Sequence, residues 1–290
     1  MKLNTKLIIS VILISLAVIA HCRWLDNASL EHTQEGLQRA LVTYGVSRGL
    51  NGVVSVVQGT EIAIEPVGVG MTFTPGQILD PVNDLIERFS GIVLVSGTAF
   101  GIQRVLLDVV ASPFFSILVG LVIGLLLLSL WLTSKKNLTS YFYSTYKLLL
   151  LRSAIIILII RFSIPITAIL SETVYEHFLE PNYIASSQEL MVATRKLEKI
   201  KTETETAKSS SSEPKSLLES AKAIYNSATN KLDMQQHIND FKLAAENISE
   251  HAIQLIVVFV IQTLLLPLLS VWVTLKTIKW VAFKRFAFLN

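Results

Sequence analysis

The hydrophobic pattern divides the chain into four long apolar runs separated by polar segments. The runs cover residues 7–20, 113–133, 148–170 and 252–275. The last three are each long enough, at 1.5 Å per residue, to cross a hydrocarbon core of about 30 Å as a helix. The sequence therefore predicts a mainly α-helical, polytopic membrane protein with three or four transmembrane helices.

The first run is the shortest, and two interpretations of residues 1–22 stay open. A basic start and about 14 apolar residues are typical of a signal peptide, and Val18 and Ala20 fit a cleavage site. The same features fit an uncleaved membrane anchor. Cleavage would leave three spans, and the residues that follow would lie on the same side of the membrane in either case.

The distribution of charge predicts the orientation. All 22 acidic residues lie in 21–112 and 171–251, whereas 1–6, 134–147 and 276–290 carry basic side chains and no acidic ones. Loops rich in Lys and Arg stay in the cytoplasm. We therefore expect a bacterial inner-membrane protein with both termini cytoplasmic and its main polar segments in the periplasm. The basic, aromatic tail 276–290 is expected to contact the anionic inner leaflet.

Composition agrees with a membrane protein and limits the function classes. Hydrophobic residues make up 51% of the chain, and the net charge of +3 is too small to predict a nucleic-acid partner. The single cysteine excludes an intrachain disulfide. No nucleophile motif, phosphate-binding Walker loop or HExxH zinc motif is present, so we expect no enzyme activity and no cofactor.

Residues 23–112 predict a periplasmic or interfacial segment. Apolar positions at helical spacing indicate an amphipathic helix over 35–58. Strict alternation of apolar with Gly or Thr over 67–73 predicts a strand, paired with 61–64 as a small β-ribbon. A long helix follows over 81–112. Its apolar part, 92–102, is interpreted as interfacial, re-entrant or buried, since a fifth span would invert the charge pattern.

The spans 113–171 and 252–275 flank a second polar segment, 172–251, which predicts a periplasmic helical hairpin of coiled-coil character. Its narrow apolar stripes need a partner, either the other arm or another subunit. Gly97 with Gly101, and Gly120 with Gly124, offer small-residue faces for helix packing and self-association.

Two prolines and two polar side chains predict a polar layer inside the membrane. Arg161 lies 11 residues before Glu172, and Gln262 lies 11 residues after His251. Both would then lie about 16 Å inside the outer boundary, which makes Gln262 the expected neighbour of Arg161. Pro165 and Pro267 each free a backbone carbonyl near this layer. The layer is expected to lock the helices together; a water- or ion-lined path is the alternative.

A short sequence pattern that is repeated outside the third and fourth spans suggests a metal site. Each span is flanked by two glutamates one turn apart, followed by a histidine: Glu172, Glu176 and His177, then Glu246, Glu250 and His251. Carboxylates and imidazoles on two antiparallel helices could bind a divalent metal ion. A solvated acidic rim is the simpler interpretation.

The function expected from these patterns is non-enzymatic scaffolding, sensing or assembly through the periplasmic helices. We expect a homo-oligomer that contacts membrane lipid and a possible periplasmic protein partner. A homo-oligomeric channel with Arg161 in the membrane path is the second hypothesis. A metal-dependent membrane enzyme that uses the Glu/His cluster is the third.

Overall fold

The computed structural model describes residues 3–21, 23–58, 62–64, 71–73, 76–131, 140–209, 239 and 242–283. This part of the chain is almost entirely helical. Its helices are α1 Leu3–His21, α2 Trp24–Gln58, α3 Gly76–Val110, α4 Pro113–Trp131, α5 Ser140–Val174, α6 Glu180–Ser209, α7 242–260 and α8 Leu266–Phe283. Two wider π-helical segments join α5 to α6 and α7 to α8; they are Tyr175–Leu179 and Ile261–Leu265.

Two strands of three residues lie between α2 and α3. Strand β1, Ile62–Ile64, pairs antiparallel with strand β2, Met71–Phe73, so that Ile62 lies opposite Phe73 and Ile64 opposite Met71. Residues 61 and 65–70 of the predicted ribbon lie outside the described residues, as do residues 210–238 and 240–241 of the predicted hairpin.

Within the described residues, five helices are long and apolar enough to cross a membrane by length and composition. They are Trp24–Gln58, Leu79–Val110, Pro113–Trp131, Leu148–Lys199 and Lys242–Phe283. The last three contain residues 113–131 of the first long predicted span and the whole of the other two, 148–170 and 252–275. Leu7–His21 is a shorter apolar helix, and the two additional helices fall in the segment that the charge pattern assigns to the outside.

The chain folds into two compact units. Unit 1 comprises Met1–Gln38, Thr98–Glu176 and Ile261–Asn290, and unit 2 comprises Arg39–Gly97 and His177–Val260. An apolar core of unit 1 forms where α1, α4 and α5 meet, and its buried side chains include Leu13, Ile123, Leu126 and Leu158.

Two pairs of neighbouring helices in unit 1 run in opposite directions, α1 with α4 and α5 with α8. The indole Nε1 of Trp131, the last residue of α4, donates to Ser10 in the first half of α1 at 3.3 Å. The hydroxyls of Ser163 in α5 and Thr274 in α8 are hydrogen-bonded at 2.6 Å. Farther along α5, Ser171 pairs with an earlier residue, Gln262, so α5 is antiparallel to the helix that contains α8.

Burial along the long helices recurs at alternating steps of three and four residues. This is the spacing of helices that pack with a slight left-handed twist. On α2 the buried positions are Asp26, Ser29, Thr33, Gly36, Ala40, Thr43, Ser47, Leu50, Val54 and Val57. On α5 and its continuation they include Ala154, Leu158, Arg161, Pro165, Ala168, Glu172, Tyr175 and Leu179. Charged residues in this series are therefore held inside the packing by their position.

From Asp26 to Ser47 the buried face of α2 consists of small and polar residues, and several apolar side chains of this helix are exposed. Leu41 and Val42 are 57% and 54% exposed, whereas Ser29 and Ser47 are fully buried. Small hydroxyl residues suit close helix packing because their hydroxyls bond to their own helix: Ser29 donates to the carbonyl of Asp26, and Thr33 to that of Ser29. The apolar positions that predict an amphipathic helix over 35–58 therefore coincide only in part with the packed face of α2.

Candidate functional site

The site is a buried polar layer in unit 1, centred on Arg161. Its guanidinium donates to both carboxylate oxygens of Asp26, with Nη1–Oδ1 at 2.7 Å and Nη2–Oδ2 at 2.6 Å. Arg161 is 1% exposed and Asp26 is 3% exposed. A two-point contact between a planar guanidinium and a carboxylate is the strongest common form of ion pair.

The local fold explains why this pair forms where it does. Asp26 lies in the first turn of α2, where free backbone N–H groups favour a negative charge. Nη2 of Arg161 also donates at 2.9 Å to the carbonyl of Ala20 in the last turn of α1, where carbonyls lack helical partners. One side chain of α5 therefore fastens the end of α1 to the start of α2.

The hydrogen bonds of Arg161 do not go to Gln262, the neighbour expected from depth matching. The partner is instead Asp26, the first acidic residue of the chain, six positions after the end of the first apolar run. That was the available signal: a basic residue within a span needs an acidic partner, and residues 109–171 and 251–290 contain none.

Gln262 instead lies beside Ser171 and Glu172 of α5. These residues are about ten positions after Arg161, or roughly 15 Å along the helix. The side-chain amide of Gln262 donates to Glu172 at 3.4 Å, and its backbone carbonyl accepts from Ser171 at 3.2 Å. Gln262 and Glu172 are 2% and 3% exposed. The two helices therefore pair differently from the expected register. Ser163 lies beside Thr274 and Ser171 beside Gln262, so the two Glu/His motifs are not at the same height along the helices.

The two prolines of the predicted layer have different surroundings. Pro165 is buried inside α5. Pro267 is the second residue of α8 and directly follows the π-helical segment Ile261–Leu265. A proline cannot donate to the carbonyl four residues earlier, here Thr263, and its ring crowds that carbonyl. The wider π segment relieves this crowding and leaves the Gln262 carbonyl available to Ser171.

The structure brings together two of the six predicted metal ligands with a third residue from α2. His32, Glu172 and Glu176 each place one ligand atom within 4.8 Å of the others. His32 Nδ1 is also 3.8 Å from Glu35. Within the described residues this is the one group of three or more His, Cys, Asp or Glu that could hold a metal ion. His32 was missed because it lies 140 positions from Glu172 in the chain.

The other four predicted ligands belong to unit 2. Glu246 and Glu250 are exposed, and Glu250 accepts a hydrogen bond from Gln254 one turn along the same helix at 3.3 Å. The imidazole of His177 lies beside the Phe178 ring, with 6.5 Å between ring centroids. His251 is half-buried.

The predicted packing glycines divide into contacted and open ones. A Cβ on Gly97 would meet Ala40 at 3.6 Å, an ordinary contact, whereas Gly101, Gly120 and Gly124 have open space where a Cβ would be. The tightest glycine is one that the sequence did not single out: a Cβ on Gly36 would overlap the Phe100 ring.

These contacts define what the layer can do chemically. Arg161 is neutralised and held at both terminal nitrogens, while its Nε has no hydrogen-bond partner among the described residues. The guanidinium thereby links α5 to the end of α1 and the start of α2.

No protein-family model, no curated protein and no solved structure matches this chain.

Proposed function

We propose that this chain is a non-enzymatic bacterial inner-membrane protein that acts in scaffolding, sensing or assembly and that associates with further copies of itself. In this proposal unit 1 is the membrane anchor, fastened by Arg161 and Asp26, and unit 2 carries the interactions. Both termini lie in the cytoplasm, as the basic segments require.

The observation that carries the proposal is the apolar exterior of unit 2. Among its exposed side chains are Leu41, Val42, Leu94 and Val95 on α2 and α3, all between 49% and 57% exposed. Phe178 in the π-helical segment before α6, Met191 on α6 and Val257 on α7 are exposed as well. Exposed apolar surface on this scale is typical of protein–protein or membrane contacts.

Native mass measurement of the full chain in mild detergent tests this proposal, together with crosslinking in intact membranes. We expect multiples of the 32.1 kDa chain. Leu41→Ser combined with Val95→Ser should shift the population towards one copy. Val109→Ser, at an equally exposed valine of unit 1, is the matched control. A strict monomer at all concentrations would contradict self-association.

A channel is the second candidate, and the open glycines give it specific support. Gly120 and Gly124 lie one turn apart on the exposed face of α4, where the helix of another copy could approach closely. Ion flux into vesicles that contain the purified protein separates the candidates. Flux that changes its ion preference in Arg161→Gln would favour the channel, and no flux favours the scaffold.

A metal-dependent enzyme is the third candidate, supported by the approach of His32, Glu172 and Glu176. The metal content of the purified protein tests this candidate, and metal-free protein would contradict it.

A further inference from the structure

A groove with an apolar lining runs along unit 1 between α1, α5 and α8. Its volume is about 550 Å³, within the range of small-ligand pockets, roughly 300–1,000 Å³. Leu16 contributes from α1, Leu158 and Ile166 from α5, and Leu269 and Val273 from α8. The helices that form this groove are those assigned to the membrane, so its natural occupant is a hydrocarbon chain.

The hydroxyls that reach the groove are already hydrogen-bonded within the protein. Ser163 and Thr274 bond to each other at 2.6 Å. Thr167 donates to the carbonyl of Ser163, and Thr277 to that of Val273. Because these groups are satisfied, the groove presents an apolar surface and does not demand a polar ligand along its length.

Positive charge lies at one end of the groove. Lys276 directly precedes Thr277, the last lining residue on α8, and is exposed. At about 100° per residue Lys276 lies beside the lining face, whereas the exposed Lys279 lies on the far side of the helix. The ammonium of Lys276 lies 4.7 Å from the centre of the Trp272 ring. Residues 1–25, 109–171 and 251–290 contain no acidic side chain. Lys276 therefore complements an anion brought by the ligand.

We propose that this groove binds one anionic phospholipid, with an acyl chain along α5 and α8 and its phosphate headgroup at Lys276. Basic residues at the cytoplasmic ends of transmembrane helices attract anionic headgroups. The inference rests on the membrane location in the proposed function, but it does not depend on self-association. It adds a specific lipid site to the general contact of the basic tail with the inner leaflet.

Native mass spectrometry of the purified full chain is the test, with palmitoyl-oleoyl phosphatidylglycerol and phosphatidylcholine as the probes. We expect one phosphatidylglycerol per chain, retained in preference to phosphatidylcholine. Lys276→Gln should weaken phosphatidylglycerol retention about fivefold. Lys279→Gln, on the far side of the same helix, is the matched control and should leave retention unchanged. Lys242→Gln, an exposed lysine of unit 2, should leave it unchanged.

Filling the groove should remove the lipid. Ile166→Trp and Leu269→Trp replace half-exposed lining residues and should lower bound lipid about tenfold. Leu121→Trp, at a residue of α4 that is 56% exposed and outside the groove, is the control. Because large substitutions can disturb folding, a phosphatidylglycerol with a photoreactive acyl chain provides a second measurement on the unaltered protein. Its crosslinks should map to 155–170 and 266–277.

Three outcomes would overturn the lipid site. They are equal retention of the two lipids, crosslinks spread over all apolar helices, or a groove occupied by a second copy, seen as a dimer without lipid that Ile166→Trp disrupts. Chain multiplicity and lipid adducts are separate masses in one spectrum. A failure of self-association is therefore distinguishable from a failure of lipid binding.

Discussion

The carboxylate of Asp26 accepts hydrogen bonds from both terminal nitrogens of Arg161, although 135 positions separate the two residues in the chain. The same guanidinium closes the last turn of α1 through the Ala20 carbonyl. A single residue within an apolar helix therefore joins three helix segments. This geometry favours the locking role over the conducting one, since the charge is neutralised and enclosed.

The antiparallel register of α5 and α8 is open to a direct crosslinking test. In a Cys22→Ser background, the pair Ser163→Cys and Thr274→Cys should form a disulfide on mild oxidation, because the native hydroxyls lie 2.6 Å apart. The pair Arg161→Cys and Gln262→Cys, which matching of the two Glu/His motifs would place together, should not. Altered gel mobility reports the crosslink, and efficient crosslinking of the second pair would refute the register.

Close packing at Gly36 predicts a stability cost. Gly36→Ala should lower the free energy of unfolding by about 1–3 kcal/mol, because its Cβ would overlap the buried Phe100 ring. Gly45→Ala is the matched control: it lies in the same helix with nothing within 4 Å. It should raise stability by about 0.5–1 kcal/mol through helix propensity. Melting in detergent measures both, and equal effects would show that Gly36 is not packed.

Metal content tests the cluster of His32, Glu172 and Glu176. If the cluster binds metal, elemental analysis of protein purified without chelator should find one divalent ion per chain, lost in Glu172→Gln and in His32→Ala. Glu246→Gln, in unit 2 and outside the cluster, should retain the metal. Metal-free protein, or equal retention in all three variants, would show that this cluster binds no metal.

The sequence predicted the helical, membrane-compatible character because that depends on composition and on the length of apolar runs. Residues 113–131, 148–170 and 252–275 each fall in a helix long enough to span. Arg161 could also be singled out, because a charge inside an apolar run is costly wherever it lies. These features are local, and a single sequence records them directly.

The partners are harder to predict because they depend on register between distant segments. The pattern of α5 does not indicate which residue meets Arg161, since long helices can slide by whole turns with little change in apolar contact. The sequence signal for Asp26 lies elsewhere, in the absence of acidic residues from 109–171 and 251–290. The buried face of α2 was hard to find for a related reason. Ser29, Thr33, Ser47 and Gly36 are packed for their small size, which a search for hydrophobic periodicity overlooks.

The most direct test of the lock is a double-mutant cycle on Arg161 and Asp26, measured as unfolding free energy in detergent. Arg161→Met alone and Asp26→Leu alone each leave a buried charge without its partner and should cost about 3–5 kcal/mol. The double variant replaces the pair with apolar side chains and should recover most of that loss. Additive losses in the double variant, or single variants as stable as the parent, would show that Arg161 and Asp26 do not lock the helices together.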